Sequence, residues 1–334
     1  MLESVTGLLV AVLILAVVFD YINGFHDTAN AIATSVSTRA LRPEQAILLS
    51  AAANFVGALS GTAVAKTIAS GIATTPDGHA GQVIVAAALI GAITWNLITW
   101  RLGIPSSSSH ALIGGLIGAV IAASGLGPLN GPGILQKVVV PLVASPVIGV
   151  LLAFSSMVLL LNAFQRAQPR RLNDRFRRLQ LVSATVMAFS HGSNDAQKTM
   201  GIMTLALLSA GLIPTSDVPL PVILVAATAI SLGTAAGGWR IIRTMGQRVV
   251  KLDPVHGFAA ETTAAAIIFT ASHFGMPVST THVISSAIMG VGATTRLSAV
   301  RWGVAGNIIA AWILTIPASG AVAWLAWEVL SRVL

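Results

Sequence analysis

Residues 103–115 read GIPSSSSHALIGG, and residues 275–283 read GMPVSTTHV. Each stretch runs Gly, any residue, Pro, a cluster of hydroxyls, then His. Each is flanked by apolar sequence. Hydroxyls and imidazoles without partners are costly away from water, so both stretches need an explanation. Pro105 and Pro277 disfavour helix in the residue before them and suit a helix start. The Ser and Thr residues that follow are good N-caps. The pattern predicts a loop running into a helix N-terminus, whose free N–H groups and positive dipole end suit an anion. One such stretch alone reads as a helix cap. Two of them read as half-sites.

The surrounding chain is apolar. Of 334 residues, 55% are hydrophobic and 9% charged, against about 25% charged in a soluble domain. An integral membrane protein is expected. The formal charge of +8 therefore reads as loop residues that set membrane orientation, not as a nucleic-acid surface. No cleavable leader is expected, because residues 1–4 lack a basic segment. Cysteine is absent, which excludes disulfides and thiolate metal sites. Apolar segments of about 20 residues recur near 5–34, 45–68, 82–101, 106–124, 135–163, 181–209, 219–239, 256–273, 278–296 and 302–331. The fold class expected is all-α, with ten to twelve transmembrane or re-entrant helices, some of them broken.

The two halves resemble each other. NGFHD at 23–27 matches HGSND at 191–195, and the GTA at 61–63 matches that at 233–235. The Pro-Ser/Thr stretches match, as do Pro146 with Pro317 and Gly149 with Gly320. The offset stays between 168 (Asp27 to Asp195) and 172 (Gly103 to Gly275). This predicts an N-terminal repeat at 1–163, a basic linker at 164–180 and a C-terminal repeat at 181–334. Five segments per repeat would insert the second upside down. With both termini outside, most of the 19 Lys and Arg fall on the inner side. Lys66, Lys137 and Arg332 fall outside, and Lys198 falls within a span. Inverted repeats with broken helices are a signature of secondary transporters.

The polar residues inside the spans are the candidate site. Asp27 and Asn30 share a helix face by their spacing. Gly24 is positioned to break that helix. An ionised Asp within a span costs about 2.5–3.5 kcal/mol, so it should face a cavity or a cation. Asp20 reads instead as a helix–helix hydrogen bond. In the second copy Asn194, Asp195, Gln197 and Lys198 follow the glycine. Asp27 and Asp195 should meet near the midplane, where carboxylate and amide oxygens suit sodium or a proton. Sodium would take Asp27, Asn30, Asn194 and Asp195. Lys198 could neutralise an aspartate, stand in for a sodium ion or face the substrate. Glu261 reads equally as a proton shuttle or as a satisfied structural acid. For the anion, the candidates are Ser106, Ser107, Ser108, Ser109, Ser279, Thr280 and Thr281. His110 and His282 read as packing residues.

The stretches NGFHDTANAIATSVSTRAL, GIPSSSSHALIGGLIGA, HGSNDAQKTMG and GMPVSTTHVISSAIMG together resemble the inorganic phosphate transporter (PiT) family, over nearly the whole chain. The resemblance implies a membrane fold of inverted repeats, usually dimeric, that moves phosphate with a cation. It places the family's signature acids and amides on Asp27, Asn30, Asn194 and Asp195, its Pro-Ser/Thr loops on the hydroxyls above, and its acid after Gly-Phe on Glu261. The wording is similar to the bacterial low-affinity subgroup of the cytoplasmic (inner) membrane, which implies proton coupling and phosphate, or neutral divalent-metal phosphate, as cargo. His26 beside Asp27, and Lys198, depart from the sodium-coupled branch. A sulfate permease of the same fold is the alternative. A Ser-His-Asp hydrolase is disfavoured by the lack of a G-x-S-x-G elbow and by the duplicated motifs. A channel is disfavoured by paired aspartates inside the spans. No enzyme activity and no cofactor beyond the coupling ion are expected.

Overall fold

Two long helices carry the acidic motifs. In the computed structural model, α1 (Leu2–Ser37) runs unbroken through NGFHD, and a 41-residue helix (Pro169–Ser209) runs unbroken through HGSND. The model describes residues 2–334; residue 1, the first of the expected N-terminal repeat, lies outside the described residues. The expected break at Gly24 is not there. Gly24 and Gly192 instead let backbones touch. A Cβ on Gly24 would lie 2.3 Å from the Ile230 carbonyl oxygen, and one on Gly192 2.2 Å from that of Asn54. In a membrane, where lipid is as apolar as Leu, close approach at small residues is what holds helices together.

The breaks lie elsewhere. α2 (Pro43–Ala58) turns by 70° into α3 (Ala63–Ser70). Then come α4 (His79–Leu102), α5 (Ser108–Ser124), the short α6 (Gly131–Ile134) and α7 (Val140–Ala163). A widened turn at Leu135–Val139 joins the last two. The long second-half helix is α8. Its partner pair is α9 (Leu220–Ala236) and α10 (Trp239–Arg243), which a widened turn at Thr244–Arg248 continues; the two halves meet at 60°. α11 (Pro254–His273), α12 (Thr280–Ala293) and α13 (Trp302–Val333) complete the chain.

Each of the ten apolar segments is helical. By length and composition four helices can cross a membrane, or six if each bent pair counts as one span. The difference has two causes. α5 and α12 start late, after the Pro-Ser/Thr stretches, and have 17 and 14 residues, about 25 and 21 Å. α8 carries its charged start and the polar motif, and α11 carries Glu261. The basic segment is not a loose loop. It is helical from Pro169, and its last residues Phe176 and Gln180 are buried.

The two halves are interleaved. α1 packs on α9 as α2 packs on α8; α13 packs on α4 and α5 as α7 packs on α11 and α12. The buried apolar side chains form two clusters. One gathers α4, α5 and the N-terminal part of α1; the other gathers α11, α12 and the C-terminal part of α1. α1 and α8 thread both clusters. Their polar motifs fall where one cluster gives way to the other: Phe19 belongs to the first and Ala29 to the second, with Asp20, Asn23, His26 and Asp27 between them.

Candidate functional site

The two Pro-Ser/Thr stretches fold alike. α4 and α11 end on Gly103 and Gly275, whose φ values are +66° and +65°, a conformation only Gly adopts cheaply. The chain then extends through Pro105 and Pro277. Ser107 caps α5 by accepting from His110 N at 3.2 Å, and Ser279 caps α12 by accepting from His282 N at 3.2 Å. The two N-terminal turns face each other, with the His110 and His282 rings 4.8 Å apart. His282 also stacks on Trp312 at 4.0 Å.

The aspartates converge as well. Ligand atoms of Asp27, His191 and Asp195, all buried, lie within 4.8 Å of one another. Each aspartate has its own histidine. His26 Nδ1 is 2.7 Å from Asp27 Oδ1, and His191 Nε2 is 2.9 Å from Asp195 Oδ2. The motifs place these histidines in crossed positions: Asn–His–Asp at 23, 26 and 27, His–Asn–Asp at 191, 194 and 195. His26 stood out in the sequence only as a neighbour of Asp27, and His191 not at all. The signal was the exchange of Asn and His between otherwise matching motifs.

Lys198 joins the acids to both loops. Its ammonium donates to Asp195 Oδ1, to Ser109 Oγ of the first loop and, at 3.0 Å, to Val278 O of the second. Thr280 Oγ1 donates to Asp195 Oδ2 at 2.9 Å. Asn30 Nδ2 donates to Thr281 Oγ1 at 2.9 Å and reaches Thr280 Oγ1 at 3.3 Å. A buried charge is stable only when paired and hydrogen-bonded, and Lys198 fills all three of its donors this way. Ser106 donates to Thr99 Oγ1 at 2.8 Å, and Thr99 lies 3.0 Å from His26 Nε2. Only Ser108 among the seven candidate hydroxyl residues is a buried side chain with an oxygen that finds no partner.

Three of the residues expected to bind the coupling ion sit apart from the acids. Gln197 turns to α3, where its Oε1 accepts from Val64 N at 2.8 Å, satisfying a free helix N–H. Asn194 donates to Ser272 Oγ at 2.7 Å and Met276 O at 3.3 Å. Glu261 accepts from Thr34 at 2.5 Å, Gln180 at 3.2 Å and Ser183, and among the described residues it forms no ion pair. Of the four residues expected to hold sodium, the two amides engage their nitrogens, and the buried Asn194 Oδ1 has no partner among the described residues. Asn30 turns its amide nitrogen to Thr281, Asn194 turns its own to Ser272, and an imidazole lies beside each aspartate. Asp20 makes the helix–helix bond expected of it, accepting from Thr199 at 2.8 Å.

Residues 23–323 match the family described as the phosphate transporter family. The chain is 48% identical to a probable low-affinity inorganic phosphate transporter of Bacillus subtilis, over 98% of each chain. It is 48% identical to one of Rhizobium meliloti over 96% of each. Among solved structures it is similar to one titled the sodium-dependent phosphate transporter, with a TM-score of 0.89 and 27% identity, covering 98% of this chain and all of that one. With the family matched across both acidic motifs and both hydroxyl loops, the chain belongs to the phosphate transporter family.

Proposed function

We propose that this chain is a secondary active symporter that moves inorganic phosphate across the cytoplasmic membrane with a coupling cation, by alternating access of two inverted repeats. Membership of the family makes it a multi-pass membrane transporter and not an enzyme. The observation that carries the mechanism is Lys198. It holds Asp195 on one side and the hydroxyl loops on the other, so the charge state of Asp195 is felt where an oxyanion would bind. Phosphate accepts hydrogen bonds from Ser108, from the loop hydroxyls and from the N-termini of α5 and α12. A protonated phosphate can also donate its P–OH to an aspartate, which sulfate cannot.

Protons suit this site better than sodium. Sodium favours a shell of oxygens, whereas Asp27 and Asp195 each meet an imidazole. Lys198 already occupies Asp195 Oδ1. Each of these contacts joins a ring nitrogen to a carboxylate oxygen, atoms between which a proton, not a sodium ion, is shared. The inverted repeat is supported by two pairs of sequence-equivalent residues whose members approach each other, Asp27 with Asp195 and His110 with His282. The charge bias supports both termini outside. Dimerisation rests on the family resemblance.

Proteoliposomes test this directly. With the protein reconstituted, an imposed pH gradient should drive uphill accumulation of labelled phosphate, and a sodium gradient should not. Uphill uptake driven by sodium alone overturns the proton assignment, and downhill flux under both gradients overturns symport. Uptake abolished by equimolar sulfate overturns phosphate as the substrate.

A further inference from the structure

The two hydroxyl loops are anchored in the same way at their glycines. Thr67, from the second half of one bent pair, donates to Gly275 O at 2.7 Å. Thr244, from the second half of the other, donates to Gly103 O at 2.8 Å. A cationic residue precedes each threonine: Lys66 in one pair, Arg243 in the other. There the likeness ends. Lys66 is neutralised by Asp217 at 2.6 Å. Arg243 opens with Arg101, Arg240, Arg248 and Trp239 onto a cavity of about 260 Å³ that Thr244 and Gly103 also line. Among the described residues, none of these four arginines pairs with a carboxylate.

One of the four is already committed. Arg240 donates to Arg101 O at 2.6 Å, closing the end of α4, and lies 5.3 Å over the Trp100 ring. Arg101, Arg243 and Arg248 have no counter-charge. Like charges gathered in one cleft focus a field that draws an anion. Guanidinium groups match the fork geometry and acceptor demand of a phosphate group. The exposed Trp239 at the rim fits a membrane–water interface.

We propose that this cavity is a second oxyanion site, separate from the transport site, that takes a phosphate group. The group comes from free inorganic phosphate or from an anionic phospholipid headgroup. The site touches transport through Gly103. An anion held by Arg243 and Arg248 steadies Thr244, and Thr244 holds the carbonyl on which the first serine loop turns. The equivalent place at Gly275 has an internal anion in Asp217 and needs no ligand.

The test compares full-length wild type with R243Q/R248Q, leaving Arg240 to cap α4. Equilibrium dialysis of the detergent-solubilised protein against labelled inorganic phosphate reads the number of sites per chain. Reconstitution in phosphatidylcholine vesicles containing phosphatidylglycerol, followed by re-extraction, reads the anionic lipid retained. Loss of one of two phosphate sites in the variant supports the proposal with free phosphate as occupant. Unchanged phosphate binding with lost phosphatidylglycerol supports it with the headgroup. Wild-type behaviour in both assays overturns it. R243K/R248K separates charge from folding. It keeps the occupant with affinity weakened about tenfold, whereas equal loss in the Lys and Gln variants overturns the site in favour of a packing defect.

Discussion

The first and second hydroxyl loops share a skeleton and differ in what they hold. Both follow a left-handed glycine, both cap a half-helix with a serine, and both end on a buried histidine. The second loop is fully engaged: Thr280 binds Asp195 and Asn30, and Thr281 binds Asn30. The first reaches Asp195 through Ser109 and Lys198, and Asp27 through Ser106, Thr99 and His26, and it leaves the Ser108 hydroxyl free. The lesson is a division of labour. The shared part, caps and backbone, builds two facing helix N-termini. The unshared part binds one loop directly to Asp195 and leaves the other with an unpartnered hydroxyl.

The largest disturbance should come from the residue that bridges the loops. Lys198→Met leaves Asp195 buried without its ammonium, and breaking a buried pair this way costs about 3–5 kcal/mol. Thermal unfolding in detergent should show that loss, and uptake should vanish. K198M/D195N should recover most of the stability and none of the uptake. A stable, active K198M would show that the bridge through Lys198 is dispensable.

Asn30→Ala comes next. It cuts the two contacts that tie α1 to the second loop, worth about 0.5–1.5 kcal/mol each, and should lower the uptake rate by about tenfold. The caps test the shared part. Ser107→Ala and Ser279→Ala should each lose about 1 kcal/mol of stability, and by similar amounts. A large difference between them would break the likeness of the loops.

Ser108→Ala should leave stability within about 0.5 kcal/mol, because the hydroxyl has no protein partner to lose. The KM for phosphate should rise about tenfold. The same change at an engaged hydroxyl, Thr281→Val, should cost stability first.

The smallest effect lies at the foot of α11. Asp253 caps it, accepting from Val255 N and His256 N at 3.0 Å. Partial burial pushes its carboxyl up, but the His256 side chain and these N–H groups outweigh that and hold it below the usual carboxylate range. A lowered folded value means the stabilisation is present above the ordinary carboxylate pKa and fades as pH falls through the lowered one. The carboxylate is half exposed, so screening leaves a few tenths of a kcal/mol. Acid unfolding curves of wild type and Asp253→Asn should converge at low pH.

Much of the site was legible because the chain repeats itself. Two motifs at a nearly constant offset marked Asp27, Asp195 and the hydroxyl loops before any geometry was known, and the structure brings those residues together. What stayed hidden depended on side-chain direction. His191 is four residues from Asp195, one helical turn, but nothing in a single sequence says which polar face turns inward. Gln197 sits between Asp195 and Lys198 in the chain and still points to α3, because a helix turns neighbours about 100° apart. Gly24 had the look of a helix break, and only packing shows that a missing side chain there serves α9. Gln180 lay in what read as a charged linker, yet it is buried against Glu261.

By itself the sequence determined the membrane class, the matching motifs at a nearly constant offset, the capped half-helices and the identity of the acidic pair. These follow from hydropathy and local backbone chemistry, which act over a few residues. Tertiary structure alone decided that Lys198 bridges both loops, that each aspartate has its own histidine, and that one glycine hinge carries its own anion while the other opens on bare arginines. Those outcomes depend on which helix faces meet across the interleaved halves, and that is set by packing between segments far apart in the chain.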